Sequence, residues 1–216
     1  MKPNFIVFEG AEGVGKSTAI KSLYVKMIEN GMDVIKVKEN DIFETGNYPH
    51  NTIDLGFLLF RTLESEIRDA GPNVEILIWT AARLNLWEKV IKPHLEKENS
   101  YVLGDRFVDS TRIYQGMDDC ETTIEKINNL HMLFLHDAMP DVVFILDLPV
   151  EQSIERILKR NETKDLKYIN RSQIIHEKIR KGFLQLANQG HPYYIIDASQ
   201  SVEQITQDCW DILTKI

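Results

Sequence analysis

The chain has 216 residues, of which 43% are hydrophobic and 27% charged, and a formal net charge of −8. The length suits one domain, residues 1–216, with a substantial core, and the composition is that of an ordinary globular protein. The acidic balance argues against a nucleic-acid polymer or an anionic membrane as the main partner, since either requires a positive field, although basic residues gathered in a cleft can still serve an anionic small molecule. The two cysteines, Cys120 and Cys209, lack metal-ligand spacing. They read as thiols in a reducing compartment, which implies a cytoplasmic protein.

The N-terminus reaches the apolar run Phe5-Ile6-Val7-Phe8 almost at once and then the charged Glu9, too short a lead for a signal peptide. No apolar run approaches the roughly 18 residues of a membrane span. Residues 5–8 are a buried-strand candidate. Directly after them, Gly10-Ala11-Glu12-Gly13-Val14-Gly15-Lys16-Ser17, followed by Thr18, satisfies G-x-x-x-x-G-K-[ST] in full. With glycine near 7% of residues, the odds of a chance match in a chain this long are roughly one in a hundred, and a strand before it and helix formers after it lower them further. The layout is the one phosphate binding needs. Glycines let successive N–H groups turn inward, and the helix that begins near Gly15 presents its positive end. Lys16 is positioned to reach the β- and γ-phosphates of a nucleoside triphosphate, and the Ser17 hydroxyl to ligate Mg²⁺. ATP is the expected donor.

Further strands are expected at residues 34–37, 101–103, 142–146 and 193–196, with helices at 16–30, 75–97, 122–137 and 172–188 among the intervening segments. Five strands separated by helices predict an α/β fold with a five-stranded parallel sheet flanked by helices, a three-layer sandwich of the P-loop type. A carboxylate at the end of a neighbouring strand is needed to orient the metal. Asp105 and Asp147 both close strands; Asp105 is preferred because Arg106 follows it and can hold a second phosphate across the ion. Residues 159–172 are polar and rich in lysine and arginine, which fits a solvated helix end.

Beyond the P-loop, Asp105-Arg106-Phe107-Val108-Asp109-Ser110-Thr111-Arg112-Ile113-Tyr114-Gln115-Gly116, Trp79-Thr80-Ala81-Ala82-Arg83 and the strand opened by Pro140-Asp141 and closed by Leu146-Asp147 occur in the order found in thymidylate kinases. The chain resembles that family over most of its length. The resemblance implies that Glu12 contacts the acceptor sugar 3′-hydroxyl and that Trp79 stacks on the base. It implies that Arg83, on the same helix face, binds the base or the acceptor phosphate. Ser110 and Thr111 match positions that approach the base edge. Tyr114, beside Gln115, matches a ring that crowds the sugar 2′ position and favours deoxyribose. The resemblance also implies a mobile lid at residues 159–172; no arginine stands between Gly10 and Gly15, so the cation on the transferring phosphoryl is expected from the lid, with Arg156 and Arg160 foremost and Lys167 and Arg171 also available.

One departure from the family is large. After its second strand the family carries R-E-P-G-G-T, whereas this chain reads Val37-Lys38-Glu39-Asn40-Asp41. Lys38 can hold the acceptor phosphate only as a point charge, and Glu39 occupies the acidic position beside it. The stretch 41–63 also looks unlike the family, as in a divergent phage-like member. The expected reaction is γ-phosphoryl transfer from ATP to a deoxynucleoside monophosphate, dTMP first, with a 5-substituted dUMP or another deoxynucleotide as alternatives. A deoxynucleoside kinase and a P-loop binding protein without transfer activity are the rival readings. A homodimer is implied by the resemblance.

Overall fold

The computed structural model describes residues 3–38, 71–116, 120–160 and 171–216. Glu39, Lys167, the stretch 41–63 and most of the expected lid lie outside them. Strands β1 (Phe5–Glu9), β2 (Asp33–Lys38), β3 (Ser100–Asp105), β4 (Val142–Asp147) and β5 (Tyr193–Asp197) form one parallel sheet in the order β2-β3-β1-β4-β5. β1 and β3 are buried along their whole length. This is why they read in the sequence as unbroken runs with no polar face.

Helices alternate with the strands: α1 (Lys16–Glu29), α2 (Pro72–Leu86), the short α3 (Lys92–Leu95), α4 (Val108–Gln115), α5 (Cys120–Phe134), α6 (Val150–Arg160), α7 (Gln173–Ala187) and α8 (Val202–Lys215). α1 packs with α8, and α2, α4, α5 and α7 contact one another in a second group. The single helix expected over 75–97 instead passes through a π-helical turn at Trp87–Ile91. Pro93 follows that turn and has no N–H for the carbonyl four residues back, so the helix widens there without ending. α8 lies beyond the expected elements; the Ser201 hydroxyl caps it by accepting from the Gln204 N–H at 3.2 Å.

The chain leaves β1 toward β2 on one side of the sheet, and from β3 crosses to β4 on the other. In open α/β sheets, ligands bind beyond the strand carboxyl ends where the order reverses in this way. That edge carries Glu9, Asp105 and Asp147, each at the end of its strand, with Lys38 in register with Asp105. Beneath it the core is closed by Phe8 against Phe144 at 5.2 Å and by Phe5 edge-on to Phe107 at 5.2 Å.

Candidate active site

Gly10, Gly13 and Gly15 take φ values of 136°, 77° and 100°. These are conformations that side-chain-bearing residues rarely adopt. At Gly13 space forbids one as well, since a Cβ would lie 2.5 Å from the Ser153 carbonyl oxygen and 2.8 Å from Ile157 Cγ1. Ala11, Glu12 and Val14 complete the loop and are buried. α1 opens at Gly15 with no side-chain cap, and Thr18 N–H already bonds the Gly15 carbonyl. The N–H groups at the start of α1 therefore suit an anion.

Lys16 turns back into this loop and donates to the carbonyls of Gly10 at 2.9 Å and Ala11 at 2.7 Å. Burial, and then the positive Arg106, push its ammonium down to about 7, against the pull of Asp105, Glu12 and Glu9. A polyphosphate would reverse that balance by supplying negative charge. Next to it the Ser17 hydroxyl donates to Asp105 Oδ2 at 3.0 Å. The pair presents a hydroxyl from the first turn of α1 and a carboxylate at the end of β3, an oxygen donor set of the kind Mg²⁺ takes. Asp147, the other strand-end candidate, is engaged differently: Arg180 of α7 grips its two oxygens at 2.6 and 2.9 Å.

Arg106 joins the phosphate loop to α4. Its backbone is left-handed, with φ 74°. Its guanidinium donates to the Gly10 carbonyl at 3.2 Å, to Ser110 Oγ at 2.8 Å and to the Tyr114 hydroxyl at 3.3 Å. It also stands 4.0 Å from a carboxylate oxygen of Glu12. Tyr114 lies under two guanidiniums, Arg106 at 5.1 Å and Arg171 at 5.5 Å from the ring centre. Arg171 also reaches Glu12 Oε1 at 3.3 Å. Burial opposes ionisation of Glu12, but Arg106, Arg171 and Lys16 outweigh it and hold the carboxyl below its ordinary value. Its other oxygen, Oε2, is buried and accepts no hydrogen bond among the described residues, an arrangement open to a hydroxyl donor.

The remaining expected residues divide into groups. Arg83 is 1% exposed; it donates to Thr111 Oγ1 at 2.6 Å and lies 5.4 Å from the Phe107 ring. Arg83 and Thr111 thus meet, between α2 and α4, with Trp79 half-buried one turn earlier on α2. Ser110 is engaged below Arg106, and Gln115 donates to Glu75 Oε2 at 3.3 Å. Lys38 ends β2, in register with Asp105. Arg156 donates to two backbone carbonyls, Val14 of the phosphate loop at 3.3 Å and Ala198 after β5 at 3.0 Å. Arg160 is exposed at the last turn of α6. The sequence reading assigned no role to Glu9. It is wholly buried, and its carboxylate accepts from Phe107 N–H at 2.7 Å, Ser110 N–H at 3.1 Å and Ser110 Oγ at 2.6 Å.

A glycine-turned anion cradle beneath an uncapped helix, a lysine and a serine–aspartate pair beside it, and a second cationic pocket across the crevice define a P-loop nucleotide-binding enzyme. Comparison with known sequences supports this. The family model described as thymidylate kinase matches residues 8–209. The chain is 35% identical to a thymidylate kinase of Bartonella henselae over 100% of its own length and 97% of the relative's. It is 34% identical to one of Bartonella quintana over 100% and 97%, and 32% identical to one of Thermosipho africanus over 98% of each. The chain therefore belongs to the thymidylate kinase family, and it is an ATP-dependent nucleotide kinase of that type. Among the described residues no helix is long and apolar enough to cross a membrane.

Proposed function

We propose that this enzyme transfers the γ-phosphoryl group of ATP to dTMP, giving ADP and dTDP. The observation that carries the reading is Arg106, whose one guanidinium touches the phosphate loop at Gly10 and the acceptor side at Tyr114. A phosphate oxygen of the acceptor attacks the γ-phosphorus while the bond to the β-phosphate oxygen breaks and ADP leaves. The protein's work is placement and charge stabilisation. Lys16 meets the β- and γ-phosphates, Arg106 holds the acceptor phosphate against them, and Lys38 adds positive charge from the end of β2. Ser17 and Asp105 would hold Mg²⁺, which would supply charge neutralisation of the phosphates when bound.

Glu12 receives the acceptor 3′-hydroxyl on its open oxygen, and Trp79, Arg83 and Thr111 line the base side. The relatives' names support dTMP as the acceptor. Lys38 in place of an arginine favours a second reading, a 5-substituted dUMP, because the phosphate clamp is weaker and the base pocket then carries more of the selection. A deoxynucleoside kinase would act on thymidine. With ATP and Mg²⁺, ADP should form with dTMP and not with thymidine; the opposite pattern would overturn the assignment.

Tyr114 should guard the sugar. Tyr114→Ala is expected to lower the dTMP preference over its ribose counterpart by about ten-fold in kcat/KM, the scale on which a pocket discriminates small groups. An unchanged ratio would make Tyr114 a support for Arg106 alone. Arg156 and Arg160 should separate in kinetics. Arg156 already clasps the phosphate loop to the turn after β5, so Arg156→Ala should raise KM for ATP. Arg160→Ala should lower kcat by about 10²-fold with KM nearly unchanged, as expected of a cation that meets the phosphoryl only in the transition state. Near-wild-type kcat in both variants and in the double variant would leave residues 159–172 as a solvated segment.

Val74 and Leu77 on α2 and Met132, Leu133 and Phe134 on the adjoining α5 are exposed apolar side chains. A second copy of the chain is the occupant we assign to this face, giving a homodimer. Sedimentation equilibrium should then return twice the chain mass, and Leu133→Glu should return it to the monomer value.

A further inference from the structure

Glu9 is an unusual residue to find at the end of a central strand. It is fully buried, next to the phosphate loop, and every hydrogen bond it accepts comes from the segment after β3, about a hundred positions away in sequence. Oε1 takes the N–H groups of Phe107 and Ser110 at the start of α4, and Oε2 takes the Ser110 hydroxyl. That hydroxyl in turn accepts from Arg106 Nη1 at 2.8 Å, and Glu9 Oε2 stands 4.0 Å from the same guanidinium nitrogen. Arg106 is held here in a left-handed backbone conformation that a non-glycine residue seldom takes. Such a conformation persists only where the surroundings over-determine it, and Glu9 fixes the two residues on its C-terminal side that do so.

We infer that Glu9 is a positioning residue for phosphoryl transfer, acting through Ser110 to hold Arg106 in register with the phosphate loop. The inference rests on the reading of Arg106 as the acceptor-phosphate ligand. Glu9 itself touches neither nucleotide. Its place at the end of β1, one residue before Gly10, means that the strand carrying the donor cradle also carries the anchor for the acceptor arginine. The two phosphate sites are thereby referenced to one rigid element, and in-line transfer depends on their relative placement.

The ionised form is the one that can accept all three bonds. A protonated carboxyl would turn one oxygen into a donor aimed at Ser110 Oγ, which already accepts from Arg106 and would then have to turn its own proton elsewhere. Burial raises the Glu9 carboxyl to about 7, with Asp109 adding to the rise and Arg106, Ser110 and Phe107 opposing it. The charged and titratable groups facing it are Lys16 from the phosphate loop, Arg106 after β3, Asp109 from α4 and Tyr193 from β5. Protonation occurs as pH falls through that value, so the arrangement is complete on the alkaline side and lost on the acid side.

Glu9→Gln is the direct test, because it keeps the shape and the oxygen that accepts from the two backbone N–H groups but places an amide N–H₂ toward Ser110. With dTMP and ATP saturating, kcat should fall about 30-fold, KM for dTMP should rise, and KM for ATP should stay within about two-fold. Wild-type kcat should decline as pH is lowered from 8 to 6, and the variant should lose that dependence. Ser110→Ala leaves Glu9 intact and removes only the relay. It should reproduce a smaller loss of the same pattern, and the double variant should be little worse than Glu9→Gln alone, because both changes break one path. If Glu9→Gln fails to fold, Ser110→Ala carries the test by the same split between the two KM values. Kinetics and pH profiles within two-fold of wild type in the folded variants would overturn the inference, as would losses that multiply independently. Absence of transfer to dTMP by the wild type would instead overturn the reading of the function.

Discussion

Lys16→Ala should lower kcat by at least 10²-fold, and the protein should remain folded. The side chain is buried in the loop and hydrogen-bonded to the Gly10 and Ala11 carbonyls, so one consequence is structural: two carbonyls lose a donor. Net loss of a hydrogen bond to a charged group is worth about 1.5–3 kcal/mol, less than the stability of a typical domain. The catalytic consequence is larger. Burial and Arg106 press the ammonium down to about 7 in the free protein, and phosphates bound beside it would favour its charged form. A cation placed in advance on the charge of the transferring group is worth several kcal/mol, and a 10²-fold loss corresponds to about 2.7 kcal/mol. Steady-state kinetics with thermal unfolding on the same samples would decide it. A folded variant retaining more than a tenth of wild-type kcat would remove Lys16 from the chemistry.

Arg106→Ala should have an effect of similar size, expressed differently. The guanidinium is the junction of Gly10, Ser110 and Tyr114 and lies close to both Glu9 and Glu12. Without it, two buried carboxylates lose their shared cation and, on the function proposed above, the acceptor phosphate would lose its fork. The expected result is a fall of about 10³-fold in kcat/KM for dTMP, with kcat and KM both affected, because the same group binds the acceptor and aligns it. Arg106→Lys should recover only part of the loss, since an ammonium keeps the charge but has a single nitrogen in place of the planar fork whose two nitrogens reach separate partners. If Arg106→Lys were fully active, the fork geometry would be irrelevant. If Arg106→Ala were fully active, the acceptor site would lie elsewhere.

The parts legible in the sequence were those whose cause is local. The three central strands could be read because parallel strands covered on both faces leave unbroken apolar runs, as in Val142-Val143-Phe144-Ile145-Leu146, and all six residues of β3 are buried. The phosphate loop could be read because its glycines answer a backbone demand, φ 77° and 100°, that side-chain-bearing residues seldom meet. What escaped was set by contacts across the sheet. Glu9 gives no local sign of its role, since its partners are Phe107 and Ser110. Ser110 was matched to the base edge, yet its hydroxyl is spent between Glu9 and Arg106.

Arg156 was grouped with the lid because it sits in a basic stretch, while its guanidinium is committed to Val14 and Ala198, 142 and 42 positions away. What separates Asp105 from Asp147 was likewise a tertiary matter: the Ser17 hydroxyl donates to Asp105, whereas Arg180 holds Asp147. The π-helical turn before Pro93 shows the same limit on a smaller scale: a helix of that length could be anticipated, but not how the missing N–H would be absorbed.

The most direct measurement is an acceptor screen with ATP and Mg²⁺ over all deoxy- and ribonucleoside monophosphates, 5-substituted dUMP derivatives and thymidine, reading both ADP and the phosphorylated product. If dTMP is the acceptor, it should give dTDP with the highest kcat/KM, ribose counterparts should be poorer, and thymidine should give no product, as this assignment requires. ATP bound in the presence of Mg²⁺ without ADP formation on any acceptor, or phosphorylation of thymidine in preference to dTMP, would contradict it.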